Sequence, residues 1–131
     1  MATVIGTKGA ELDLLIRQGA TFGPNASRLT NPNGTPVNLT GSTFRGQIRK
    51  TASDALSTGC AITFTITNAI NGEFTWEVTD EATTVLVADS ISESAPASTY
   101  VWDMEVQDSS GRVLPLAYGK VQVFREVTKD T

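Results

Sequence analysis

Along most of its length the chain alternates apolar and polar residues with period two, the mark of half-buried β-strands. In Leu12-Asp-Leu-Leu-Ile-Arg17 the side chains of Leu12, Leu14 and Ile16 share one face, and Gln18-Gly19 closes the run. Phe22 to Thr30 has the length of a partner strand, but Gly23-Pro24 interrupts its pattern, because proline cannot donate to a ladder. Asn31-Pro-Asn-Gly34 places Pro second and Gly fourth in a tight turn expected to link two antiparallel strands. In Thr43 to Arg49 the residues Phe44, Gly46 and Ile48 alternate with Arg45, Gln47 and Arg49, giving one core face and one basic face. Ala61 to Ile66 directs Ile62, Phe64 and Ile66 inward. Asn71-Gly72 then signals a hairpin, and Phe74, Trp76 and Val78 line the returning strand.

Tyr100, Trp102, Met104 and Val106 form the strongest inward stripe, and Asp108-Ser-Ser-Gly111 turns the chain back. The last strand points Leu114, Leu116 and Tyr118 inward, and Gly119 is expected to mark a bulge before Val121 and Val123. The alternation breaks at Thr79-Asp-Glu-Ala-Thr-Thr-Val-Leu86, whose acidic start suits a helix N-terminus. This predicts one short helix near residues 80–87, about two turns at most. Residues 51–59 and the serine-rich 89–98 read as loops. About seven strands separated by turn signals describe an all-β sandwich. The predicted organisation is a flexible arm at residues 1–10, one sandwich domain at 11–126 and a tail at 127–131.

Composition narrows the chemistry. A chain of 131 residues has room for one core, and 40 % hydrophobic with 18 % charged residues suits a folded soluble domain. No histidine and a single cysteine exclude a histidine-based triad, a Cys/His zinc site and an internal disulfide within one chain. Cys60 reads as a small buried apolar side chain. The first ten residues lack the charged start and apolar run of a signal peptide, and no stretch approaches the ~20 apolar residues that span a bilayer. The two Asn-X-Ser/Thr sequons, at Asn25 and Asn38, read as chance. A net charge of −4 argues against the phosphate backbone of nucleic acid as the main partner.

Four groups remain as candidate chemistry. Asp103 and Glu105, two apart on a strand, share a face as a glycosidase pair or calcium site would require, but a solvated outward face alternating with an aromatic core explains both. Asp80 and Glu81 read as helix-start residues. Trp76 and Trp102 are in phase with core neighbours rather than set out as a sugar platform. Arg45 and Arg49 project from the same side of one strand. With Gln47 between them they form a candidate protein-contact face, arginine being enriched at interfaces. No Gly-rich phosphate loop is present: Gly6-Thr-Lys-Gly9 lacks the Walker spacing. No catalytic, cofactor or metal residue is assigned.

In order, Ile16-Arg-Gln-Gly19 with Thr21-Phe22, Pro36-Val-Asn-Leu-Thr-Gly41 running into Thr43 to Arg49, and Gly72 with its strand make a recognisable series. It continues through the short helix near Glu81 to Leu86, Tyr100-Val-Trp-Asp-Met-Glu105, Gly111, and Leu116 through Gly119-Lys-Val-Gln-Val123 to Val127-Thr128. The series resembles small immunoglobulin-like virion proteins of tailed bacteriophages, similar to the N-terminal domain of upper baseplate proteins. Gly23-Pro24-Asn25 departs from it where a regular alternating strand is expected. The resemblance implies an immunoglobulin-like sandwich without catalysis or cofactor, present in multiple copies in a symmetric assembly of the virion. Its expected partners are other virion proteins of tail, neck or baseplate, with neither nucleic acid nor membrane, and assembly takes place in the host bacterial cytoplasm. A capsid decoration protein and a carbohydrate-binding module are the alternatives; glycoside hydrolysis is the poorest reading. Free strand edges and the two chain ends are the expected linking elements.

Overall fold

The computed structural model describes residues 2–4, 9–49, 60–86 and 98–124. The strands are β1 (Ala2–Val4), β2 (Ala10–Glu11), β3 (Leu14–Arg17), β4 (Phe22–Thr30), β5 (Thr43–Arg49), β6 (Cys60–Ala61), β7 (Thr63–Asn68), β8 (Glu73–Val78), β9 (Ser98–Gln107) and β10 (Val113–Phe124). The helix α1 (Asp80–Thr84) lies between β8 and β9. The expected loop at 51–59, the tail at 127–131 and all of the expected loop at 89–98 except Ser98, which begins β9, lie outside the described residues. Within the first ten residues, Ala2–Val4 pairs with Arg28–Thr30 and Ala10 begins β2.

Two sheets face each other as a sandwich. One runs β1-β4-β8-β7; the other runs β2-β10-β9-β5-β6, with β3 also on β10. The orders β4-β8-β7 and β10-β9-β5 reproduce B-E-D and G-F-C of an immunoglobulin-like sandwich. The central pairings are antiparallel, whereas β1 joins β4 and β2 and β3 join β10 in parallel.

The two sequence runs nearest the sheet margins are each divided. Leu12-Asp13 separates β2 from β3, although both keep the same register on β10. The Leu12 carbonyl accepts the Trp102 indole N–H at 2.7 Å, and the Asp13 carboxylate accepts the Lys120 backbone N–H at 3.0 Å. One carbonyl thus serves the core while a side chain fills its place in the ladder. Cys60–Ala61 pairs with β5, and Thr63–Asn68 pairs with β8, so the chain changes sheets at Ile62. Asn31-Pro-Asn-Gly34 does form a turn, with the Gly34 N–H on the Asn31 carbonyl at 2.9 Å. It brings Thr30 to Pro36 in a single bridge instead of joining two paired strands, because the following strand, β5, belongs to the opposite sheet.

Three expectations change at particular residues. The bulge of the last strand falls between Pro115 and Ala117, not at Gly119. It turns both Leu116 and Ala117 inward and moves the buried phase onto Val121 and Val123, so Tyr118 lies half-buried on the outer face. Gly119 is required by packing, since a Cβ there would run into the Leu12 carbonyl. Ile66 is inward in register but exposed, because it sits on the last strand of its sheet. Phe22–Thr30 is a full strand despite Gly23-Pro24, whose peptide is cis; the pairing with β8 shifts between Phe22 and Asn25 and resumes.

The core fills the space between the sheets. Trp76 from β8 and Trp102 from β9 stack across it, ring centres 5.4 Å apart and planes within 14°. Phe44 of β5 stacks on Phe74 of β8 at 4.5 Å and on Phe64 of β7 at 5.3 Å. The Trp76 indole donates to the Ser27 hydroxyl at 3.1 Å, so both tryptophan N–H groups are satisfied. Among the described residues no buried side-chain polar atom lacks a partner. Thr79 caps α1, its hydroxyl accepting the Ala82 N–H at 3.2 Å. Cys60 is buried, and burial pushes its thiol pKa up to about 11, which keeps it protonated and unreactive.

Candidate functional site: the outer face of β5, β9 and β10

Alternation along β5 sends Gly46 and Ile48 into the core and turns Arg45, Gln47 and Arg49 outward. The pairing of β5 with β9 sets Arg45 opposite Glu105, Gln47 opposite Asp103 and Arg49 opposite Val101. The pairing of β9 with β10 sets Asp103 opposite Tyr118 and Val101 opposite Lys120, and β2 places Glu11 opposite Tyr118. One row therefore crosses the sheet as Ala61, Gln47, Asp103, Tyr118 and Glu11. These side chains bound a concavity of about 910 Å³ on the outer face.

The charges alternate by strand: basic on β5, acidic on β9, basic Lys120 on β10 and acidic Glu11 on β2. The basic face expected of β5 is thus real for that strand but not for the sheet, where three acids lie beside three bases. The Arg45 guanidinium pairs with the Glu105 carboxylate, and the Arg49 Nε–H donates to the Gln47 side-chain carbonyl at 2.8 Å. Gln47 thereby holds the Arg49 guanidinium in place on the sheet. The Asp103 carboxyl is held above its ordinary value, first by partial burial among its neighbours and then by the Glu105 charge, with Arg49 and Arg45 opposing. Val101 and the ring of Tyr118 supply apolar area between the charges.

The other candidates take structural places. Trp76 and Trp102 are enclosed in the core and stack on each other, which removes them as an exposed sugar platform. Asp108 closes the β9–β10 turn: its carboxylate accepts the Ser110 N–H at 3.0 Å, the Ser110 hydroxyl at 2.7 Å and the Arg112 N–H at 2.9 Å. Those bonds hold its pKa below the ordinary carboxylate range. Asp80 and Glu81 stand in the first turn of α1. Among the described residues no group of three or more Cys, Asp or Glu side chains is placed to hold a metal ion.

Sequence reasoning found the β5 residues but missed Tyr118 and Lys120. Tyr118 was masked by the bulge, which reverses the phase of β10 after Leu116. A signal was present in the adjacent apolar Leu114, Leu116, Val121 and Val123, whose odd and even positions cannot lie on one face without an extra residue between them. No protein-family model and no curated protein matches the chain.

Proposed function

We propose that this chain is a non-catalytic structural and assembly protein of a tailed-phage virion, attached to tail, neck or baseplate components through protein–protein contacts. The ordered resemblance supplies the setting, and the outer face of β5, β9 and β10 is the observation that carries the attachment role. It sets two arginines and a tyrosine, residue types enriched at protein interfaces, together on one sheet face. The acids of β9 beside Arg45 and Arg49 disfavour a phosphate backbone, which needs a surplus of positive charge. Asp103 and Glu105 lie on an open sheet face and Glu105 is engaged by Arg45, whereas a glycosidase pair works in a site that excludes water and encloses the sugar.

The test is a mass-spectrometric inventory of purified particles, with immunogold labelling by an antibody to this chain. Gold at the tail, neck or baseplate in a copy number matching the local symmetry supports the reading. Gold over the head lattice makes it a decoration protein, and absence of the chain from particles overturns the virion role. Arg45→Glu combined with Arg49→Glu is expected to abolish incorporation while the isolated protein still folds; normal incorporation would remove this face as the contact.

A further inference from the structure

Strand β7 is the outermost strand of its sheet, with β8 on one side and no strand on the other among the described residues. Folded proteins guard such edges with lysine, proline or a covering loop, because the unpaired N–H and C=O groups template another strand. β7 reads Thr63-Phe-Thr-Ile-Thr-Asn68, with no charge and no proline, and its residues other than Phe64 are exposed. Threonine and isoleucine, β-branched and strand-favouring, fill most of it. Among the described residues its one guard is a register shift between Ile66 and Asn68, which leaves Thr63 to Ile66 as a regular ladder against Glu77 to Phe74. Beside this edge Ile66 is 37 % and Ile70 71 % exposed.

We propose that β7 pairs antiparallel with β7 of a second copy of this chain across a twofold axis, making one continuous sheet from two. The absence of charge on β7 suits a second copy as the occupant. The uncharged strand meets its own image without repulsion, and a charged partner strand finds no complement on it. The flanking acids Glu73 and Glu77 sit one strand further in, on β8. Across the axis the two β8 strands are three spacings apart, about 14 Å, beyond the ~8–10 Å over which salt leaves charges interacting. Ile66 and Ile70, exposed on each copy, gain cover when the edges meet, and a twofold contact uses the same patch on both partners. The ladder is short, so pairing is weak in dilute solution and strengthens where copies are held close together. This edge is separate from the outer face of β5, β9 and β10, and the inference stands whether or not that face binds a virion protein.

Sedimentation equilibrium of the full chain over a concentration series tests it. The weight-average mass is expected to rise from 13.9 kDa toward twice that value, with the β7 amides gaining hydrogen-exchange protection in step. Thr65→Lys and Ile66→Lys, checked for folding by circular dichroism, are each expected to stay at monomer mass, while Gln122→Glu, an exposed position on β10, associates like the unaltered protein. If one lysine variant fails to fold, the other decides, and the exchange measurement needs neither. A constant monomer mass at the highest concentration overturns the proposal. So does association without β7 protection, or association that survives both lysines.

Discussion

Strand β9 presents two chemistries that differ in how they are held. Its inward side, with Tyr100, Trp102, Met104 and Val106, is buried between the sheets, and the Trp102 indole finds an acceptor there. On its outward side Glu105 pairs with Arg45, Asp103 lies opposite Gln47 and Tyr118, and the face stays open to water. The interior is closely packed and, among the described residues, leaves no buried side-chain polar atom without a partner, so a change there costs folding. The outer face is held by exchangeable contacts, so a change there alters what the surface recognises and leaves the fold standing.

The largest effect separates these regions most clearly. Trp76→Ala or Trp102→Ala is expected to cost about 3–5 kcal/mol in urea unfolding, since each removes half of the inter-sheet stack. For Trp102 the Leu12 carbonyl also loses its donor. A loss below about 1 kcal/mol would mean the core repacks and the contrast with the outer face is false.

Next in size, Gly119→Ala is expected to cost about 1–3 kcal/mol, because the added methyl collides with the Leu12 carbonyl and β2 must move off β10. Loss of amide protection at Tyr118 and Lys120 before the remainder of β10 would locate the damage. Uniform loss would show that the β2–β3 break is not a separate weak point.

On the outer face, Arg45→Ala is expected to change stability by no more than about 1 kcal/mol, its side chain being 65 % exposed and its ion pair with Glu105 screened by salt. The same substitution is expected to weaken attachment to the particle, so stability and incorporation should part company here and move together in the tryptophan variants.

The smallest expected effects have opposite signs for two carboxylates on β9 and its turn. Asp103 has a raised folded pKa, so its charge costs stability above that value. Asp103→Asn is expected to stabilise at neutral pH, with the gain fading as pH falls through the raised pKa and gone below the ordinary carboxylate value. Asp108 has a lowered folded pKa and stabilises above the ordinary value. Asp108→Asn is expected to destabilise at neutral pH, with the difference closing as pH falls through the depressed pKa. Urea midpoints of the two variants from neutral to acid pH check both; shifts of the same sign would show that the two environments are not distinct.

Much of the sandwich was legible because alternation is a local property. Phe74, Trp76 and Val78 on β8, the stripe of β9 and the capped helix after Thr79 are each written in consecutive residues, as is the outward triplet Arg45, Gln47 and Arg49. The departures arose where a distant residue intervened. Leu12 breaks its strand to serve an indole ninety positions away in the chain. Leu116 and Ala117 bulge against β9, and Ile62 carries the chain from one sheet to the other.

Side-chain period and turn residues already mark in the chain which residues face inward along β3, β5, β8 and β9 and where the main turns lie, and composition shows no histidine and a single cysteine. Three things emerge from the folded arrangement alone: acids of β9 lie beside the arginines of β5, Tyr118 belongs to the outer face, and β7 is an uncharged edge among the described residues. Each of those depends on which strand lies beside which, and strand order is fixed by packing the whole core rather than by any run of neighbouring residues.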